Sequence, residues 1–219
     1  MPSTPESPTV GSLLDVVPVM PVVVVEDVAH AVPLARALVA GGLPAIELTL
    51  RTPVALDAIR AIAAEVPDIL VGAGTVLAPA HAEAARDAGA TFLVSPGATP
   101  TLLEAMAGTG LPFLPGTATV SEVMAVLEAG HTEMKFFPAE AAGGAPWLKS
   151  IASPVPDARF CPTGGITAAS AASYLALPNV GCVGGSWLTP ADVVRRGDWA
   201  EVERLAREAA GLRAGSAAA

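Results

Sequence analysis

Aromatic residues are few in this chain of 219: five Phe, three Trp and one Tyr. A core built from it must be packed mainly with aliphatic side chains, and no aromatics alternate with basic residues to form a platform for stacking bases. Positive charge is scarce as well, because 12 Lys and Arg against 21 Asp and Glu give a net charge of −9. Without a basic run the chain is poorly suited to follow a nucleic-acid backbone or an anionic membrane surface. The negative excess reads as solubility. Only two cysteines are present, Cys161 and Cys182, which make neither a disulfide framework nor a metal-ligand pattern. Both lie in apolar stretches, as buried thiols of a reducing compartment do. The longest apolar stretch, 16–25, includes two prolines and is about half the length that crosses a bilayer. Residues 1–8 have neither the basic nor the apolar segment of a secretory signal, so the expected location is the cytoplasm.

What is abundant is apolar sequence in short pieces. Hydrophobic residues make up 52% of the chain and charged residues 15%, which excludes disorder. Short apolar runs at 19–25, 45–48, 69–71, 91–94, 113–114, 134–136, 159–161 and 181–183 read as strands. Several are apolar at nearly every position, the pattern of parallel strands buried on both faces. Between them lie segments of helical period at 28–40, 53–65, 79–88, 100–107, 121–129, 145–151 and 167–175, with a last one from Trp199. Val54, Ala58, Ile59 and Ile62 show the spacing of one buried stripe. Pro53, Pro79 and Pro100 sit where a first helical turn tolerates proline. Eight strand-then-helix units without a break predict one α/β domain, a (β/α)8 TIM barrel over residues 13–213, with a doubly wound open sheet as the alternative. Residues 1–12 read as a flexible lead-in and 214–219 as a flexible tail.

Function in such a barrel collects at the C-terminal ends of the strands, so polar residues there carry the interest. In Ala45–Arg51, alternation puts Glu47, Thr49 and Arg51 on the inward side. Glu47 and Arg51 fit a proton carrier and a carboxylate clamp, or a structural ion pair within one strand. The chain has ten Arg but only two Lys, Lys135 and Lys149. Lys135 stands inside an aliphatic and aromatic strand, whereas Lys149 has a polar helical setting. Arg keeps its proton near neutral pH, while a buried lysine can lose it and attack a ketone to form a Schiff base. The competing reading of Lys135 is a side chain that snorkels to the rim. Two glycine pairs, Gly164-Gly165 and Gly184-Gly185 followed by Ser186, close the last two units. Barrels commonly bind phosphate there, although tight turns without a ligand would look the same. Gly72-Ala73-Gly74 lacks the third glycine of a dinucleotide site, Leu148 breaks a phosphate loop before Lys149-Ser150, and His30, His81 and His131 have no ligand spacing.

With these residues in place, the chain resembles the bacterial 2-keto-3-deoxy-6-phosphogluconate (KDPG) and 4-hydroxy-2-oxoglutarate (KHG) aldolase family from about residue 16 to 206. The most specific stretches are Glu47–Thr52, Val71–Val76, Lys135–Glu140, Cys161–Gly165 and Gly184–Trp187. The resemblance implies a class I aldolase, a homotrimer that uses no metal and no cofactor and takes a phosphorylated keto acid. It implies further that Lys135 is the Schiff-base lysine and that Glu47 shuttles protons. Arg51 and Thr75 match positions holding the pyruvoyl carboxylate, Gly164, Gly165 and Ser186 match the phosphate site, and Thr163 matches a substrate contact. Ala142 and Ala78 depart from the family pattern, where Asn is often found, and neither replaces a catalytic group. Among KDPG, its galactonate epimer and 4-hydroxy-2-oxoglutarate the sequence leaves the choice open. A phosphate-binding isomerase or decarboxylase would leave Lys135 without a purpose, and the presence of both Glu47 and Lys135 counts against a catalytically silent sugar-phosphate binder or structural trimer.

Overall fold

The structure is a computed structural model that describes residues 11–212. A 3-10 turn, Leu13–Asp15, leads into β1 (Val19–Val23), and a second one, Val28–His30, runs into α1 (Ala31–Ala40). Strand and helix then alternate: β2 (Ala45–Thr49), α2 (Ala55–Glu65), β3 (Leu70–Gly74), α3 (Pro79–Asp87), β4 (Phe92–Val94) and α4 (Pro100–Gly108). The two short strands β5 (Phe113–Leu114) and β6 (Gly116–Thr117) precede α5 (Val120–Glu128), β7 (Glu133–Phe136) and α6 (Gly144–Ile151). The chain continues through β8 (Arg159–Pro162), α7 (Ala168–Leu175), β9 (Val183–Gly185), α8 (Ala191–Arg195) and α9 (Trp199–Ala210).

Every strand pairing is parallel. The order is β5-β4-β3-β2-β1-β9 in a curled six-stranded sheet and β6-β7-β8 in a second ladder, giving an α/β fold. Single bridges join β8 to the last strand region, Phe160 to Val180 and Thr163 to Gly184. Only Pro115 separates β5 from β6, and a proline cannot donate to a ladder, so the pairing divides there. Pro115 still accepts a hydrogen bond from the Lys135 amide at 2.9 Å.

Burial explains the apolar runs. All five residues of β2 are buried, as are Phe92, Leu93 and Val94 of β4, because helices cover one face of the sheet and packed side chains fill the other. On α2 the buried residues are Ala55, Ala58, Ile59 and Ile62, which continue the predicted stripe. Pro79 and Pro100 do open helices, whereas Pro53 stays in the turn before α2. Cys161 and Cys182 are both buried and form no disulfide, and Lys149 is exposed.

Three strands or helices depart from the sequence reading: β6, which falls where no strand was expected, α8 and the last strand. Helix α8 has five residues, too short to show a period. The final strand runs through Gly184 and Gly185 instead of ending before them. A Cβ at Gly184 would lie 2.2 Å from the Thr163 Oγ1, so only glycine lets this strand approach the end of β8. The predicted tail lies outside the described residues, as does most of the predicted lead-in. Within that lead-in Ser12 caps the first 3-10 turn and donates to the Glu133 Oε1 at 2.5 Å. Arg159 joins the same cluster through Asp15 at 2.7 Å and Glu133 at 3.1 Å, which ties the start of the described chain to β7 and β8.

Candidate active site

Glu47 lies on β2, in register with Val22 of β1 and Gly72 of β3. Lys135 lies on β7, between Gly116 of β6 and Cys161 of β8. The two ladders direct these side chains at each other: the Lys135 Nζ donates to the Glu47 Oε1 at 3.1 Å, across 88 positions of sequence. Only 4% of the lysine side chain and 2% of the glutamate side chain remain exposed. Desolvating two charges consumes most of what their attraction returns, so a buried pair of this kind adds little to stability. Its distance is that of a working acid–base pair. Lys135 therefore does not snorkel to the rim, and Glu47 pairs across the interior and not with Arg51 on its own strand.

The surroundings hold the pair in place. Thr49 donates to the Val23 carbonyl at 3.0 Å, stitching β2 to β1, and Thr117 donates to the Lys135 carbonyl at 3.3 Å, stitching β6 to β7. The Phe137 ring lies 5.4 Å from the Lys135 Nζ, a cation–π distance. Gly72 and Gly74, on one face of β3, have separate uses. A Cβ at Gly72 would stand 2.2 Å from the Phe92 ring, and one at Gly74 would stand 2.3 Å from the Glu47 Oε1. Reading the sequence against a nucleotide fingerprint missed both; the signal available was glycine at period two inside a buried strand.

Beyond the strand ends, the exposed Arg51 donates from Nε to the Thr75 Oγ1 at 3.2 Å. Thr75 has φ of 60°, the single non-glycine residue with positive φ among the described residues. A β-branched residue is rarely found there, and such strain concentrates where a side chain must be aimed. Thr163, buried at the end of β8, bridges to Gly184. Gly164 and Gly165 follow with φ of 104° and 82°, conformations that glycine adopts freely. Gly164 lies against Phe137 and Pro138, so this turn abuts the segment directly after Lys135. Ser186 is exposed in the turn after β9, two positions beyond the bridge to Thr163. Thus the structure brings Glu47 to Lys135 and Arg51 to Thr75, and it sets Thr163–Gly165 beside the Lys135 segment. Ser186 is linked to them through strand order. Among the described residues no group of three or more His, Cys, Asp or Glu is arranged to hold a metal ion, and no helix is long and apolar enough to cross a membrane.

A buried lysine facing a carboxylate inside parallel strands fits the class of enzymes that use an amine to activate a carbonyl carbon, the imine-forming lyases. Residues 10–205 match the family model "Aldolase: KDPG and KHG aldolase", and the chain belongs to that family. The KHG/KDPG aldolase of Escherichia coli K12 is 54% identical over 198 residues, which cover 90% of this chain and 93% of that protein. A KDPG aldolase from Legionella pneumophila, solved with pyruvate captured as a covalent carbinolamine, superposes with a TM-score of 0.89 at 45% identity. That match covers 91% of this chain and 97% of the other. The KDPG aldolase of Zymomonas mobilis, solved with 3-phosphoglycerate, gives a TM-score of 0.87 at 50% identity and covers 91% and 93% of the two chains.

Proposed function

We propose that this protein is a class I aldolase that reversibly cleaves KDPG to pyruvate and glyceraldehyde 3-phosphate. The observation that carries the reading is the buried Lys135–Glu47 pair at 3.1 Å. Within that pair a proton passes from the ammonium to the carboxylate, leaving a neutral amine to attack the C2 ketone. The carbinolamine loses its hydroxyl as water, with Glu47 returning the proton, and the iminium that remains withdraws electrons from C3. Glu47, directly or through a water, then takes the proton of the C4 hydroxyl. The C3–C4 bond breaks, C4 leaves as the aldehyde, and its electron pair stays on the enamine. Protonation at C3 and addition of water release pyruvate and regenerate the amine.

The remaining residues bind the two ends of the substrate. Arg51, braced by Thr75, takes the carboxylate, where a guanidinium offers two parallel donors. Gly164, Gly165 and Ser186 take the distal phosphate through backbone amides and one hydroxyl, and Thr163 faces the chain between. Binding energy from the phosphate positions the reacting carbons. The reading extends to a closed (β/α)8 barrel in which β5 and β6 are one strand interrupted at Pro115. The Thr163–Gly184 bridge and the Lys135–Pro115 hydrogen bond support it. It extends also, by family likeness, to a homotrimer in the cytoplasm. The name of the Escherichia coli relative favours KHG as a second substrate, which direct competition between the two compounds would resolve.

The test is treatment with pyruvate and borohydride, which fixes an imine as a stable secondary amine. A pyruvyl mass increment on the peptide containing Lys135, absent from Lys135→Ala, is expected. Reduction without an adduct on Lys135 overturns the mechanism.

A further inference from the structure

Lys135 sits on β7 and the Gly164–Gly165 turn lies beyond the end of its neighbour β8, so the ladder fixes the strands and something further must hold the turn. The segment after β7 turns back over the end of β8, where the Ala139 amide donates to the Thr163 carbonyl at 2.8 Å and the Glu140 amide to the Gly164 carbonyl at 3.1 Å. The stem of Glu140 lies flat on Gly165, since a Cβ there would meet its Cγ at 2.7 Å and its Cβ at 2.8 Å. From the helix that follows the turn, the Tyr174 hydroxyl donates to the Glu140 Oε1 at 2.7 Å. Tyr174 is the one tyrosine in the chain and is 1% exposed, although Glu140 itself is exposed. Gly144, at φ of 62°, passes close over the hydroxyl, and a Cβ there would lie 3.2 Å from it. Burial, and then the neighbouring Glu140 carboxylate, push the Tyr174 phenol above its ordinary range, so it stays a donor at any working pH.

A buried hydroxyl is costly unless it has a partner, and here that partner is a carboxylate whose stem covers the glycine turn. We propose that Tyr174 and Glu140 are positioning residues: together they clamp the Gly164–Gly165 turn at a fixed distance from Lys135 and so set the affinity for the substrate's phosphate. Neither is a catalytic residue. The inference rests on the reading of Gly164–Gly165 as the phosphate site.

Tyr174→Phe keeps the ring and its packing while removing the hydroxyl. KM for KDPG should rise about tenfold, the size expected when a hydrogen bond to a charged group is lost, with kcat within about twofold of wild type. The pyruvate concentration giving half-maximal borohydride adduct should not change, because pyruvate has no phosphate. Glu140→Gln keeps both an acceptor oxygen and the stem and should stay near wild type, whereas Glu140→Ala should behave like Tyr174→Phe. In Glu140→Ala the lone tyrosine should also ionise at lower pH, read from phenolate absorbance. Gly165→Ala separates the two ideas. If it raises KM for KDPG while Tyr174→Phe does not, the clamp is refuted and the phosphate site stands. If neither changes KM, the phosphate reading falls and the clamp falls with it. A Tyr174→Phe enzyme that weakens KDPG and pyruvate equally also overturns the clamp, showing general loosening of the site.

Discussion

Gly74→Ala probes the proposed catalytic geometry without removing an atom of either Glu47 or Lys135. The added methyl would stand 2.3 Å from the Glu47 Oε1, 2.6 Å from its Cγ and 2.8 Å from its Cδ. Ordinary contact begins near 3.4 Å, so the carboxylate must retreat by about 1 Å. Glu47 is a flexible side chain, and rotation about its bonds relieves the clash more cheaply than movement of β3. The displaced atom is the Oε1 that accepts from the Lys135 Nζ at 3.1 Å, so a shift of that size takes the pair out of its hydrogen-bonded geometry. A displacement of about 1 Å at a reacting group costs on the order of 100-fold in rate, and that is the loss expected in kcat. The destabilisation should be modest, about 1–3 kcal/mol, the usual cost of one extra methyl in a packed interior. The assay is steady-state KDPG cleavage with pyruvate followed by a coupled dehydrogenase, alongside a urea titration and borohydride trapping. Adduct should still form on Lys135, at a reduced rate. A folded Gly74→Ala enzyme with wild-type kcat would refute the assignment of Glu47 as the proton carrier.

Gly72→Ala should separate stability from chemistry in the opposite sense. Its methyl meets the fully buried Phe92 ring at 2.2 Å, and a rigid ring in a packed core has nowhere to go. Stability should fall by about 1–3 kcal/mol in urea, while the enzyme that remains folded keeps its kcat. At the start of α5, the Glu122 carboxylate accepts from the Ala118 and Thr119 amides, each at 2.8 Å, and from the Thr119 hydroxyl at 2.9 Å. The Ala118 amide is the main reason that Glu122 titrates below its ordinary value. Its stabilising contribution is therefore present above the unfolded pKa and is lost as pH falls through the folded one. Urea midpoints of wild type and Glu122→Gln should differ at neutral pH and converge in acid; a gap that widens in acid would contradict the cap.

The α/β class, the near-complete run of strands and the two catalytic candidates were legible because each is a local property of the sequence. A strand buried on both faces must be apolar throughout, so Glu47 and Lys135 stand out as intruders whose burial demands a partner. Thr119 and Thr167 begin capping boxes that the sequence also carried, in Glu122 and Ser170, yet neither was read. What no local pattern contains is which intruder meets which. Glu47 had Arg51 four positions away and took Lys135, 88 positions away, because the two ladders face each other while Arg51 points out past the strand end to Thr75. The same reason hides the uses of Gly72, Gly74 and Gly184, which are fixed by the side chain brought against them: Phe92, Glu47 and Thr163. Composition and period decide what a segment becomes, because burial acts on each residue in turn. The distances that make a site are decided by packing between segments, and those exist only once the chain has closed on itself.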